Sequence, residues 1–424
     1  MSLRARLATL LGRAAHRLAP PAAVPPAPAP APLAPAPLYT SFHDFLHAQR
    51  SVELSRMPRP AGVLLSAGCS GAWYFDWIAQ WYGAVDRHVG VERYLPRPDV
   101  LPAGVEWIAS SVADMPEVGD HTVDLVFSGQ NIEHLFADDV VGFLLECARV
   151  LRPGGHLVID SPHREIANLL TWSMNEHTIE LTPDEASELA RLAGFDVTSL
   201  RGVWLCRDPD TGQTLPLDPF AAGASSDEIV RRVQLAARHP NDAFIWWLEA
   251  RRSTRPPDTE GLRDRHAAIF RVAWPERCRR LLSQVGERRH EDGRDVVAAS
   301  AATTGYLLFG PYMPFAAGHY EVTFPLRRGG APVGDDTVVA VIDAIADGAT
   351  DPCIARREIR AAELLPGRWT DHTLAFDVAE LRWTGQLRVY SPGADALTAD
   401  TAIVLDDRGT PVWPPRARPA DPIT

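Results

Sequence analysis

Between Val63 and Pro162 one pattern recurs five times: a short apolar run that ends in small or acidic residues. Parallel strands covered on both faces read as such runs, and a chain that alternates them with helical stretches has few architectures open to it. Val63-Leu64-Leu65-Ser66-Ala67 empties into the small-residue turn Gly68-Cys69-Ser70-Gly71, with a helical stretch from Ala72 to Trp81 behind it. A turn of this kind lets backbone N–H groups at a helix N-terminus approach a ligand. Arg87 to Val91 is the second run, and it ends in Glu92. That is about 20 residues beyond the turn, the interval at which nucleoside-binding folds set an acid against ribose hydroxyls. Val105 to Ala109 is the third, with Asp114 beyond it, and Asp124 to Ser128 is the fourth. Arg152-Pro153-Gly154-Gly155 then closes a helix and opens a fifth run that ends at Asp160. The pattern predicts an α/β domain whose ligand groups stand at the carboxyl ends of its strands.

The flanks fit the same domain. Phe42, Phe45, Leu46 and Val52 recur at helical spacing between Ser41 and Met57. Thr182-Pro183-Asp184-Glu185 is a helix start, with Thr182 as N-cap, Pro183 in the first turn and Glu185 completing a capping box. That helix is expected to end at Gly194. Two more strands are predicted, Phe195 to Cys206 and Asp242 to Ala250, separated by a helix near Ser226 to Ala237.

Beyond Arg252 the texture changes. Ser253 to Asp258 is a Pro-bearing linker, and Leu262 to Val285 has helical character interrupted at Pro275. From Asp295 onward come short alternating runs: Gly305 to Phe309, His319 to Leu326, Thr337 to Ala344, Ile354 to Ile359, Thr370 to Phe376, Gln386 to Tyr390 and Ala402 to Leu405. This is the spacing of an all-β sandwich. The expected division is a basic tail (1–18), a Pro/Ala linker (19–38), the α/β domain (39–252), a linker with a helical segment (253–285), the β module (286–410) and a tail (411–424).

A length of 424 residues with 46% hydrophobic content gives both domains a core. A net charge of −12 argues against a general nucleic-acid binder, which needs a basic face. Five scattered cysteines without a CxxC pair read as reduced thiols, neither disulfide frame nor zinc site, and point to a cytoplasmic protein. No metal site is expected. Arg4, Arg6, Arg13 and Arg17 among leucines and alanines suit a short basic amphipathic helix, giving at most a weak peripheral membrane contact; a solvated tail is the competing reading.

The turn, Glu92, Ala113-Asp114-Met115-Pro116, the run Asp124 to Leu135 and Ala148-Arg149-Val150-Leu151-Arg152-Pro153-Gly154-Gly155 occur in one order. In that order they resemble the class I S-adenosylmethionine-dependent methyltransferases of the type 11 kind, over roughly Tyr39 to Arg252. The resemblance implies a Rossmann-like sheet with flanking helices and a last strand that runs antiparallel. It implies S-adenosylmethionine as cofactor, held by Ser66, Gly68 and Ser70 at the first turn, Glu92 at the ribose diol, Asp114 and Met115 at adenine, and Ser128, Gly129 and Gln130 beyond the fourth strand. The chain departs from the family at Ser66, where an acid is usual, and at Ser70 and Ala72, where glycines are usual. The segment from Gly305 to Val322 resembles the jelly-roll modules attached to glycan-modifying enzymes.

For chemistry, His177 in the loop Asn175-Glu176-His177-Thr178 is the first choice of general base, and His134 of the pair Glu133-His134 the second. His163 and Arg164 are candidates for binding the acceptor, Arg164 through a phosphate or carboxylate. Each has a plainer reading, as a packed histidine or an exposed loop side chain. Tyr306, Tyr312, Trp369, Trp383 and Tyr390 could stack on sugar rings, or simply fill a β core. The resulting expectation is O-methylation of a sugar hydroxyl on a surface-glycan or related small-molecule intermediate. Its rival is a catalytically weak, methyltransferase-like scaffold that binds a glycan or a partner. A nicotinamide-dependent dehydrogenase fits less well, because the third glycine of that fingerprint is missing.

Overall fold

The computed structural model describes residues 41–174, 176–278, 280–315, 317–346, 353–380 and 382–405. The basic tail, the Pro/Ala linker, the C-terminal tail and the side chain of Trp383 lie outside the described residues. Two compact units are present. Among the described residues, the first comprises those up to 132 together with 142–170 and 181–259; the second comprises 133–141, 171–180 and those from 260 onward.

The apolar runs of the first unit form a seven-stranded sheet: β1 (Val63–Ala67), β2 (Arg87–Val91), β3 (Val105–Ile108), β4 (Val123–Gly129), β5 (Leu151–Pro162), β6 (Phe195–Gly202) and β7 (Ile245–Arg252). Their order is β3-β2-β1-β4-β5-β7-β6. All are parallel to one another except β7, which runs against both β5 and β6. Leu65 sits opposite Val89 on one side and Val126 on the other, so chain order reverses between β1 and β4. Open α/β sheets bind ligands at such a reversal, beyond the carboxyl ends of the strands. The central strands are buried on both faces, which is why their sequences do not alternate.

Helices α1 (Phe42–Ser55), α2 (Ala72–Trp81), α3 (Ala137–Val150), α4 (Arg164–Leu169), α5 (Pro183–Leu192) and α6 (Ser226–Ala236) fill the connections. The capping box at α5 forms as the sequence predicts, with Thr182 accepting from the Glu185 N–H at 3.2 Å and Glu185 accepting from the Thr182 N–H at 2.8 Å. The Pro-Gly-Gly break differs from expectation. β5 already begins at Leu151, and Gly154, at φ 80°, absorbs the irregular pairing between Val123 and Leu125. β6 ends at Gly202, short of Cys206, where a Cβ would lie 2.3 Å from that of Ala243.

In the second unit, α7 (Thr259–Cys278) runs through Pro275 and stops three residues later. The expected extension to Val285 fails because Leu282 exchanges backbone hydrogen bonds with Phe309 at 2.9 and 3.0 Å. Eleven strands follow: β8 (Glu287–Glu291), β9 (Arg294–Ala299), β10 (Thr304–Leu308), β11 (Pro311–Phe315), β12 (Gly318–Arg328), β13 (Val338–Ile345), β14 (Cys353–Arg360), β15 (Thr370–Val378), β16 (Arg382–Pro392), β17 (Leu397–Asp400) and β18 (Val404–Leu405). They build two antiparallel sheets, β10-β16-β13-β14 with β11 beside β16, and β15-β12-β17-β9-β8 with β18 beside β12. Phe315, Ile342 and Val389 from the first share one hydrophobic core with Val297, Phe324 and Leu374 from the second, and Trp274 of α7 joins it.

Glu185 carries two duties, since it also holds Arg164, a buried cation, through 2.6 and 2.8 Å contacts. Thr182→Ala should therefore cost about 1 kcal/mol, the usual loss of an N-cap. Glu185→Gln should cost more, because it also removes the charged partner of a buried arginine. The order of the two urea midpoints tests this.

Candidate active site

The turn after β1 is stitched to the end of β2: the N–H groups of Gly68 and Cys69 both donate to the Val91 carbonyl, at 2.9 and 3.3 Å. Gly68 has φ 79°, and a Cβ on it would lie 2.3 Å from the Asn131 side-chain oxygen. Glycine is thus required twice over, by backbone conformation and by close packing. The Asn131 side chain also donates to the Ser128 hydroxyl at 3.2 Å and so ties the end of β4 to this turn. Gly71, at φ 120°, is the N-cap of α2 and supplies no side-chain cap. Ser70 is half-buried, and its carbonyl accepts from the Trp73 indole at 3.1 Å.

At the end of β2 the carboxylate of Glu92 is buried, and Oε1 accepts from the backbone N–H groups of Tyr94 and Leu95 at 2.8 and 3.1 Å. Those bonds fix the direction of the carboxylate. Its charge is felt in the glycine turn, where burial first and Glu92 second push the Cys69 thiol well above its ordinary range. Beyond β3, Asp114 is exposed and Met115 fully buried. Their loop is held from α3: Glu146 accepts from the Met115 N–H at 2.7 Å, and Arg149 donates to the carbonyls of Met115 and Val118, both at 2.8 Å. Arg149 also grips Glu146. Burial would raise the Glu146 pKa, but hydrogen bonds from Arg149 and Met115 outweigh it and lower the value.

Past β4, Ser128 is buried and donates to the Ala67 carbonyl at 3.3 Å, while the Gly129 N–H donates to the Tyr74 hydroxyl at 3.2 Å. Gln130 has φ 54°, uncommon for a residue with a side chain. Its amide donates to Asp160 at 3.0 Å and its backbone N–H to the Asp160 carbonyl at 2.9 Å. Asp160, wholly buried at the end of β5, is gripped by Arg50 of α1 at 2.5 and 3.0 Å. Arg50 also lies 5.2 Å over the Trp77 ring. A Cβ on Gly129 would stand 2.7 Å from Arg50 and 2.9 Å from Asp160. Arg50, Tyr74 and Asp160 were not singled out in the sequence; their only signal was an acid at a strand's carboxyl end.

Three expectations need correction. Ser66 lies within β1, and its buried hydroxyl bonds His88 Nε2 at 2.8 Å, so that oxygen is engaged inside the sheet layer and not presented to a cofactor. Arg164 is no loop cation for an acceptor, being committed to Glu185. His163 is likewise buried, at 1% exposure, as the residue preceding α4.

The second unit brings together the two candidate bases. His134 and His177 meet edge to face, with ring centroids 4.7 Å apart. His134 Nδ1 bonds the Glu176 carbonyl at 3.1 Å, and His177 Nδ1 bonds Glu180 at 3.0 Å. Burial would raise the Glu180 pKa, but the His177 hydrogen bond and the charges of His177, Arg280 and Arg277 more than offset it and hold the carboxyl far below its usual range.

Residues 65–159 match the model of a family described as a methyltransferase domain. A probable S-adenosylmethionine-dependent methyltransferase of Mycolicibacterium smegmatis is 33% identical over 159 residues, covering 33% of this chain and 54% of the relative. Another from Mycobacterium tuberculosis is 35% identical over 157 residues, covering 33% and 51%. A ubiquinone biosynthesis O-methyltransferase of Rhizobium etli is 25% identical over 170 residues, covering 35% and 66%. The strand order is that of a Rossmann-like fold, and within it residues 65–159 are similar to methyltransferase domains of the S-adenosylmethionine-dependent class. The chain spans about half the length of the first two relatives.

Burial holds three imidazoles of this unit neutral: His47, His88 and His163 are each brought down from 6.5 to about 4, with burial the leading cause throughout. Between those values the unfolded chain binds protons that the folded one refuses, so the imidazole contribution to stability should fall as pH drops from about 6.5 toward 4 and level off below, where the lowered carboxyls take over the decline. His88→Gln should flatten that slope. Urea midpoints across the window decide it.

Proposed function

We propose that the protein is an S-adenosylmethionine-dependent methyltransferase that O-methylates a sugar hydroxyl on a surface-glycan or related intermediate. The observation that carries the methyltransferase part is the set of groups at the carboxyl ends of β1 to β4. Gly68 takes a left-handed backbone, Glu92 has its carboxylate fixed by two N–H groups, and the Met115 loop is tethered by Glu146 and Arg149. These residues fit the cofactor: Gly68 and Ser70 at its methionine end, Glu92 at the ribose, Asp114 and Met115 at adenine, Gly129 and Gln130 beside the reacting centre. Bound S-adenosylmethionine supplies a methyl group on a sulfonium, already joined to a good leaving group. The work left to the chain is positioning and removal of the acceptor's proton. His177, oriented through Nδ1 by Glu180, is the candidate for that second task.

The glycan part rests on the second unit, read as a jelly-roll-type module. Two of its aromatic residues are partly open to solvent, but arginines lie over their rings: Arg294 at 5.0 Å and Arg327 at 4.9 Å from the Trp369 centroid, and Arg388 at 4.5 Å from that of Tyr306. The engagement of Ser66 by His88 favours a second reading, a methyltransferase-like scaffold with weak turnover.

Calorimetry with S-adenosylmethionine and S-adenosylhomocysteine separates the two. Saturable binding is expected, and its absence at millimolar concentration would remove the enzyme reading. Glu92→Ala should weaken cofactor binding by roughly ten- to a hundredfold, the value of charge-assisted hydrogen bonds worth about 1.5–3 kcal/mol. His177→Ala should lower turnover by about 10²–10⁴-fold while leaving cofactor affinity nearly unchanged.

A further inference from the structure

Glu133, His134 and His177 place one carboxylate oxygen and two ring nitrogens within 4.8 Å of one another. The tautomer of each histidine follows from its neighbour. The Glu176 carbonyl and the Glu180 carboxylate can only accept, so both rings donate through Nδ1, and in the neutral form each carries its lone pair on Nε2. A carbonyl or carboxylate on the opposite ring nitrogen is how proteins orient an imidazole toward a metal.

The scaffold around the three groups is rigid. The backbone N–H and hydroxyl of Thr178 both donate to the Glu133 carbonyl, at 2.8 and 3.0 Å, and the hydroxyl reaches the Leu135 carbonyl at 2.5 Å. The loop that carries His177 is held from α7 by Arg277, which donates to the carbonyls of Met174 and His177 at 3.0 and 3.3 Å. Arg280 holds the Trp172 carbonyl at 3.0 Å and the second oxygen of Glu180 at 3.3 Å. Glu133 and His177 are both buried, at 0% and 2% exposure.

We infer that Glu133, His134 and His177 bind a divalent transition cation of the zinc type, with a fourth position for water or another oxygen ligand. Two nitrogens and one oxygen suit zinc or its neighbours better than magnesium or calcium, which prefer all-oxygen sets. Metal bonds of about 2.0–2.1 Å place tetrahedral ligands about 3.4 Å apart. Binding therefore draws the three atoms inward, a movement within reach of side-chain rotation. With the cation in place His177 is a ligand and no longer the proton acceptor. All its groups belong to the second unit, so metal binding can be measured apart from cofactor binding, while a bound cation takes His177 from the role of base proposed above.

The test uses the full chain, stripped by a chelator and titrated with Zn²⁺ by calorimetry and with Co²⁺ by visible absorption. One equivalent and a saturable d–d band are expected. Glu180→Gln should weaken Co²⁺ binding by roughly 10- to 100-fold, as loss of an orienting partner does, and Glu133→Gln and His177→Ala should weaken it more. Circular dichroism checks folding; if His177→Ala unfolds, the near-isosteric Glu133→Gln decides. No saturable band at millimolar Co²⁺, or wild-type affinity in folded Glu133→Gln, overturns the site. S-adenosylhomocysteine binding by the stripped wild type, measured alongside, tells failure of this site from failure of the methyltransferase reading.

Discussion

Asp160 is a carboxylate with no exposure to water at the carboxyl end of β5, and a buried charge of this kind persists only when paired and hydrogen-bonded. Its partners bind distant parts of the first unit into one arrangement. Arg50 brings α1 to the strand ends, Gln130 turns the chain after β4, and Gly129 lacks a Cβ where both charged groups approach. The positive φ of Gln130 is the local cost, offset by two hydrogen bonds to the same aspartate. Gly129 accordingly has a structural reason to be glycine, apart from any ligand.

The loop beyond β3 is held differently. Arg149 touches Asp120, but that aspartate is mostly in solvent, and an exposed pair of this kind contributes little. What fixes the loop is the set of backbone contacts, Glu146 on the Met115 N–H and Arg149 on two carbonyls. Gly142 lets α3 pack closely on Ala113, where a Cβ would meet backbone and side chain at 3.0 Å. The motif Ala148-Arg149-Val150-Leu151 thus has a mechanical meaning: its arginine is a clamp on the segment expected to flank adenine.

Legibility followed the range of the interaction. Strands buried on both faces declare themselves as apolar runs, and the capping box at Thr182 needs only four residues, so both were read correctly. Arg50 and Asp160 are 110 residues apart, and although Asp160 is marked as an acid at a strand's end, nothing local pairs it with Arg50. Ser66 looked like a depleted cofactor contact because its partner His88 lies on another strand. Arg164 looked like a loop cation because Glu185 lies 21 residues on. One local signal went unread: Asp292-Gly293, with φ 52° and 74°, is the hairpin turn between β8 and β9. β8 on one side is wholly polar and β9 on the other is a charged pair followed by an apolar run, so no alternation marks them.

The segments 133–141 and 171–180 show how sequence proximity misleads about domain membership. Each interrupts the α/β chain, the first directly after β4 and the second after α4, yet each groups with the second unit. The reason is visible in the second segment, whose carbonyls at Trp172, Met174 and His177 are capped by arginines of α7 and the turn after it. Backbone acceptors in a buried loop must be satisfied, and these are satisfied from a helix a hundred residues away. The Glu133-His134 pair then follows, because Thr178 fixes the Glu133 carbonyl to the same loop. Thus an element that reads as the tail of a methyltransferase strand is positioned by the downstream module, and the chemistry of His134 and His177 depends on both segments folding with it.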